Sequence, residues 1–480
     1  MKSPVLARIE ATPRTSVWLG WHIATDELHH PPHFFYSLHL NKLEISRRAT
    51  TRRNPHQSKG LPLVNVLLIG YHVSAARLLA DPTALNGCKV YLLEEPSMFA
   101  PDLPYLHLEQ QDLNGIVDVR LARYHQSDEC YAEAARWHKE VGFHAVVPGR
   151  EYGVRPAFEI AGLLDLPRPS SEAIDACTDK LLLRDACQTA GISQPAYAEV
   201  FGPGDIEDFM KEVNSDVIVK PANRHASLGV VALTDVNRAA DAWRHTVEAE
   251  GPSAPKDRQV TWRYMVEERL VGGQVSMETL VHSGDVVFNN ISDMDFGPGF
   301  VELGNTVPAA LDTTTEQSLL EANAAFLKAV NADLGLFHSE WRLTAEGPRL
   351  IECAARLPGI SRPEQIWWAW GYNLALAFAE VLSDRRPTQR PPTRPQRICH
   401  IGSLYSEPGM VSELKGIGLL DEIPQIVDYE INAQPGKKLP ATQDTWSYAL
   451  RYTIVEESAQ RMQHIKDIVR RSLDVVIRPR

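Results

Sequence analysis

The chain has 480 residues, of which 44% are hydrophobic and 23% charged, the composition of a folded protein with room for about two to four domains. A net charge of −12 argues against nucleic acid as a main partner, and no apolar run approaches the ~20 residues of a membrane span. Six cysteines form no Cys-x-x-Cys pair, which points away from a zinc knuckle or disulfide framework and towards a cytoplasmic setting.

Residues 1–60 hold nine Lys or Arg against four Asp or Glu and lack periodicity, whereas the rest of the chain carries −17. We expect a disordered extension, or translated sequence upstream of the true start, that is dispensable. Order is expected from Val64 to Gly70, a buried-strand run. A helical pattern follows over about 74–80, with further strands at 89–93 and 144–149. Strands alternating with helices predict a parallel α/β sheet. Gly70 lacks the rest of a Gly-x-Gly-x-x-Gly turn, so nothing there indicates a dinucleotide.

Ile174, Cys177, Leu181 and Leu182 fall at roughly helical spacing. Asp179 is placed to cap a second helix that stops at Ala190-Gly191. Lys180, taken alone, reads as a solvated surface lysine. Asp216 to Pro221 is a strand with Lys220 at its edge, and the loop from Ala222 to Gly229 follows it. A cation beside the backbone donors of a small loop suits a polyphosphate. Met265 to Glu278 reads as strand, Gly-rich bend and strand. A plain hairpin explains it, although unpaired backbone groups at such a bend would also suit an adenine edge.

The stretch from Gly335 to Arg356 carries the strongest chemical signal. Its period of two sets Leu336, His338, Glu340 and Arg342 on one strand face and Phe337, Ser339 and Trp341 on the other. The turn signal at 345–348 sends the chain back through Glu352, so Glu340 and Glu352 can face one another. Paired carboxylates suit Mg²⁺ beside nucleotide phosphates, and Arg356 is placed to reach a phosphoryl oxygen. Ordinary surface charges on an exposed hairpin are the competing explanation. His338 has two readings, a substrate contact or a side chain that packs within the strand. The Pro-rich segment 385–397 reads as a linker, and 398–480 as a small α+β unit with a final helix near 456–472.

In this order the motifs resemble the ATP-grasp superfamily across roughly residues 63–480. They are Asp179-Lys180, Val219-Lys220-Pro221, Ser227-Leu228-Gly229-Val230, the stretch from Val266-Glu267-Glu268 to Glu278, and the Glu340/Glu352/Arg356 hairpin. Glu352-Cys353-Ala354-Ala355-Arg356 is similar to the L-amino acid ligase branch, the alanine–anticapsin ligase-like group.

The resemblance implies an α/β and α+β protein with the ATP-grasp fold. A disordered 1–60 would precede a Rossmann-like pre-ATP-grasp domain at 61–168. The ATP-grasp domain would span 169–395, with a small lid at about 193–268, and a small C-terminal α+β domain 396–480. It also implies an ATP-dependent carboxylate–amine ligase working through an acyl phosphate on small molecules, amino acids above all, and it allows a homodimer. The alternatives are a biotin-carboxylase-like enzyme and a non-catalytic nucleotide-binding protein.

For the site, the resemblance implies ATP contacts from Lys180, Lys220, Ser227 and Gly229. Glu267 and Leu270 would hold adenine and Gln274 the ribose. Glu340 and Glu352 would ligate Mg²⁺, with Mn²⁺ as a substitute, and Arg356 would steady the transferred phosphoryl group. Gly359 and Ile360 would line the amino-acid pocket. Asn305 and His338 join the catalytic set, Asn305 where many relatives carry His. Ala354 stands where many ATP-grasp enzymes have a metal-binding Asn.

Overall fold

The computed structural model describes residues 64–79, 88–99, 108, 113–250, 255, 257–359, 361–439 and 447–478. The expectations for residues 1–60 and for Ile360 lie outside the described residues.

The first layer runs β1 (Asn65–Ile69), α1 (Val73–Leu79), β2 (Lys89–Glu94), β3 (Ile116–Leu121), α2 (Glu129–Val141), β4 (Ala145–Pro148) and α3 (Val154–Leu163). Its strands pair in parallel in the order β3-β2-β1-β4. Val66, Leu67, Leu68 and Ile69 are all fully buried. Both faces of the strand are covered, which is why the sequence there is continuously apolar rather than alternating.

Two helices lead to the next layer. In α4 (Ser171–Thr178) the Ser170 hydroxyl caps the N-terminus by accepting from the Ala173 amide. In α5 (Lys180–Ala190) the Asp179 carboxylate accepts from the amides of Leu181 and Leu182, and Gly191 closes the helix in the left-handed region. The second layer then follows with β5 (Tyr197–Glu199), α6 (Pro203–Val213), β6 (Val217–Pro221), β7 (Val231–Leu233), α7 (Ala239–Glu248) and β8 (Tyr264–Glu268). Its antiparallel order is β5-β8-β6-β7. Ile206 and Phe209 of α6 and Ala239 and Ala242 of α7 pack with Val217, Val219 and Val266 of that sheet.

The third and largest layer contains β9 (Gly273–His282), β10 (Asp285–Phe296), β11 (Glu302–Val307), α8 (Thr313–Ala329), β12 (Gly335–Thr344), β13 (Gly347–Ala354), α9 (Arg362–Trp370), α10 (Leu374–Val381) and β14 (Ile398–Leu404). After β14 come β15 (Gly409–Lys415), β16 (Ile426–Ile431), β17 (Lys438–Leu439), β18 (Leu450–Glu456), α11 (Ala459–Ser472) and β19 (Asp474–Ile477). Eight strands form one antiparallel sheet in the order β13-β12-β9-β10-β11-β14-β18-β16. The C-terminal stretch thus adds β14, β18 and β16 to the same sheet that holds the Glu340/Glu352 hairpin. Three of its other strands form a separate sheet, β17-β15-β19.

One expectation is corrected here. Met265 to Glu278 is not a hairpin, because β8 belongs to the four-stranded sheet and β9 to the eight-stranded one. The chain changes sheets at Gly272, whose φ is +144°. A Cβ there would lie 2.0 Å from the Leu343 carbonyl oxygen, so only glycine fits the passage.

The large sheet has two different faces. Met277, Phe337, Trp341 and Leu350 point into a core shared with Ile174, Cys177 and Phe326 of the flanking helices. On the other face Leu280 and Leu336 pack against α10 and the first layer. Further along that same face stand Glu278, His338 and Glu340, and there the surface becomes polar.

Candidate active site

The two hairpin carboxylates meet as the alternation requires. Glu340 and Glu352 are direct cross-strand partners, while Trp341 pairs with Leu350. Ile351 is therefore the extra residue of a bulge, and its carbonyl accepts from Arg184 Nη2 at 2.7 Å. That bulge turns Glu352 towards the start of α5. Lys180, the first residue of α5, donates through Nζ to the Arg224 carbonyl at 2.8 Å and lies 3.0 Å from Glu352 Oε2. Its backbone amide donates to the Ala222 carbonyl at 2.9 Å, which ties the helix to the loop after β6.

A single pocket gathers Lys180, His338, Glu340, Glu352 and Arg356 with Glu151, Asp179, Arg224 and His225. Five of the residues singled out in the sequence thus converge. Glu151, Arg224 and His225, which also line it, were missed. Glu151 follows β4, just past the C-terminal end of a parallel strand, where ligands of open α/β sheets gather. Arg224 and His225 belong to the loop already marked for its backbone donors. Asp179, named as a helix cap and as part of the Asp179-Lys180 motif, also lines the pocket, and its Oδ2 accepts from Arg263 Nη1 at 2.6 Å.

Charges in the pocket are balanced pairwise. Burial works to raise the Glu352 pKa, but Lys180 and Lys220 overcome it and hold the carboxyl at about 2. Burial likewise works to lower the Lys180 pKa, and Glu352 overcomes it, so this lysine stays charged. Arg356 donates through Nε to Glu151 Oε2 at 2.6 Å. His338 places Nδ1 3.0 Å from Glu278 Oε1 and Nε2 3.5 Å from Glu340 Oε1. Burial opposes the imidazolium, yet these two carboxylates raise its pKa to about 9. Burial would raise the Glu278 pKa too, but His338 and Arg362 bring it down to about 2. His225 is the opposite case, with burial and then Arg356 lowering it to about 3, so it is neutral.

The other residues named from the sequence lie outside the lining of this pocket. Lys220 pairs with Glu267, whose carboxylate also accepts from Arg184 Nη2 at 2.9 Å. All three side chains are buried, so Glu267 is engaged by two cations. Gln274, on the neighbouring strand β9 of the same sheet, donates to Glu340 Oε2 at 2.7 Å. Ser227 has φ +58° and donates to the Phe300 carbonyl at 3.2 Å, while the Gly229 carbonyl accepts from Thr246 Oγ1 at 2.9 Å. Leu270 is partly buried between the two sheets, and Gly359 is exposed. Asn305 is buried in β11 and donates to Glu302 Oε1 at 2.7 Å.

Among the described residues no group of three or more His, Cys, Asp or Glu is arranged to hold a metal ion. The facing Glu340 and Glu352 nevertheless supply the hard oxygen donors that Mg²⁺ requires, with nucleotide oxygens as its further ligands. In that respect the donor set fits the ion.

Residues 213–364 match the ATP-grasp domain family. Among characterised relatives, the alanine–anticapsin ligase of Bacillus subtilis is 26% identical over 259 residues, covering 50% of this chain and 54% of the relative. A D-alanine–D-alanine ligase of Streptococcus agalactiae is 23% identical over 226 residues, 44% of this chain and 60% of that enzyme. The chain therefore spans about half to three fifths of the length of these relatives. In fold, it superposes on an L-amino acid ligase from Bacillus licheniformis with a TM-score of 0.71 at 18% identity, covering 88% of this chain and 100% of that one.

The matched segment, residues 213–364, is similar to the ATP-grasp domain, and the chain shares its fold with the L-amino acid ligase structure.

Proposed function

We propose that the chain is an ATP-dependent carboxylate–amine ligase that forms an amide or dipeptide bond through an acyl phosphate. The observation that carries this reading is the convergence of Lys180, Glu340, Glu352 and Arg356 on one pocket. A carboxylate is a poor acyl donor until one of its oxygens becomes part of a leaving group. Its oxygen attacks the γ-phosphorus of ATP, an O–P bond forms, the β–γ bridge breaks, and ADP departs. An amine then attacks the acyl carbon, inorganic phosphate leaves, and the nitrogen gives up its proton.

Within this reading Lys180 holds phosphate oxygens near the carboxylate pair. Arg356, fixed through Nε by Glu151, presents its guanidinium to the charge that spreads over the moving phosphoryl group. Ser227 to Gly229 would flank the phosphates, with Lys220 held behind them in its pair with Glu267, and Leu270 would meet adenine at the passage between sheets. Glu340 and Glu352 would hold Mg²⁺, which supplies charge neutralisation at the β- and γ-phosphoryl oxygens. His338, protonated between Glu278 and Glu340, keeps both carboxylates in place. The smaller sheet with its two helices, residues 193–268, would act as the lid over the nucleotide.

Two relatives are named for amide-forming ligations of amino acids, which favours this reading over a carboxylase. No described helix is long and apolar enough to cross a membrane, and all six cysteines are free and buried, which supports operation in a reducing cytoplasm. The test is a screen of amino-acid pairs for ADP release, with products identified by mass spectrometry. Ligation with ADP and phosphate is expected. Bicarbonate-dependent turnover with no amino-acid requirement would replace this reading with the carboxylase one.

A further inference from the structure

Arg362 opens α9 and is only 2% exposed, yet its Nε and Nη1 are buried with no hydrogen-bond partner among the described residues. Its neighbouring carboxylates are Glu278 Oε1 at 3.7 Å and Glu302 Oε1 at 3.6 Å, ion-pair distances too long for hydrogen bonds. Both are engaged elsewhere. Glu278 accepts from Asn290, Ser276 and Ser292 and faces His338. Glu302 accepts from Asn305, whose Oδ1 is itself buried and without a partner.

A buried guanidinium with unmet donors is costly unless something completes it. The patch is also continuous with the candidate active site, since His338 touches Glu278 on one side and lines the pocket beside Glu340 on the other.

Building on the ligase reading, we infer that Arg362 is a specificity-determining residue that binds a substrate carboxylate other than the one being phosphorylated. Two sources share this chemistry: the free α-carboxylate of the amine-donating amino acid, and the side-chain carboxylate of an acidic acyl donor. Either would supply an acceptor to the unused nitrogens and set the substrate's orientation relative to Arg356 and the metal carboxylates.

The test is calorimetric binding of the L-amino acids and their α-amides to the full chain, with Mg²⁺ and a non-hydrolysable ATP analogue present. Loss of the relevant carboxylate is expected to weaken binding roughly 10-fold or more in the unaltered protein. A difference between an amino acid and its α-amide identifies the amine donor. A difference between aspartate and asparagine, or glutamate and glutamine, identifies an acidic side chain. Arg362→Met should bind acid and amide alike while its affinity for the ATP analogue stays unchanged. If that variant unfolds, Arg362→Lys should retain only part of the discrimination. Equal binding of acids and amides by the unaltered protein, binding of none of them, or undiminished discrimination in a folded variant overturns the inference. ADP release measured in parallel reports on the ligase reading separately.

Discussion

Two lysine–glutamate pairs stand within electrostatic reach of each other, Lys180 with Glu352 and Lys220 with Glu267. The first faces the pocket, where Glu352 is half-buried and can exchange its lysine for other partners. The second is closed in with Arg184, and both of its members are buried. Their electrostatics diverge accordingly. Glu352 keeps Lys180 charged despite burial, whereas burial, with Arg184 and Lys180 close by, lowers the pKa of Lys220. Similar groups at similar distances thus give an exchangeable pair in one place and an internal brace in the other. The number of cations competing for each carboxylate, and its access to the pocket, make the difference.

Glu352→Gln attacks the exchangeable pair. Under the proposed function it would remove an anionic metal donor and leave the pocket walls intact, so ADP release should fall roughly 10³-fold while ATP still binds. Unchanged turnover at saturating Mg²⁺ would take Glu352 out of the site. Glu267→Gln attacks the brace and leaves Lys220 and Arg184 buried against a neutral amide. Denaturant unfolding should show a loss of about 3 kcal/mol, the cost of breaking a buried pair. A midpoint equal to that of the unaltered chain would mean that the pair is not a brace.

The third way to sharpen the contrast is pH. The folded-state pKa of His338 is raised from 6.5 to about 9, so its contribution to stability is complete below pH 6.5 and is lost as pH rises through 9. Melting temperature should therefore decline between pH 6.5 and 9, and the part of that decline due to this residue should vanish in His338→Gln. An identical slope in the variant would show that His338 is not charged in the folded protein. The smallest expected effect belongs to Asp179→Ala, which removes the cap of the helix that presents Lys180. It should cost about 1 kcal/mol, with a modest rise in the KM for ATP. A change in kcat alone would point to another role for Asp179.

Much of this was legible in the sequence because local rules and tertiary structure agree there. The period-two pattern around Glu340 and the turn after Thr344 placed the two carboxylates opposite each other, and Asp179 and Gly191 marked both ends of a helix. The passage at Gly272 was misread, since a Gly-rich bend looks the same whether its flanking strands pair or separate into two sheets. Glu151, Arg224 and His225 carry no spacing signal of their own and join the pocket only through tertiary packing. Arg362 was equally silent, because the sequence shows an Arg at a helix start and not the burial that leaves its nitrogens without partners.

The central claim is that the γ-phosphoryl group of ATP moves to a substrate carboxylate. It is tested most directly by supplying an amino-acid pair that supports ADP release, with the carboxylates labelled with ¹⁸O, and analysing the released phosphate by mass spectrometry. One ¹⁸O per phosphate is expected, with ADP as the nucleotide product. Unlabelled phosphate, or AMP with pyrophosphate, would contradict it.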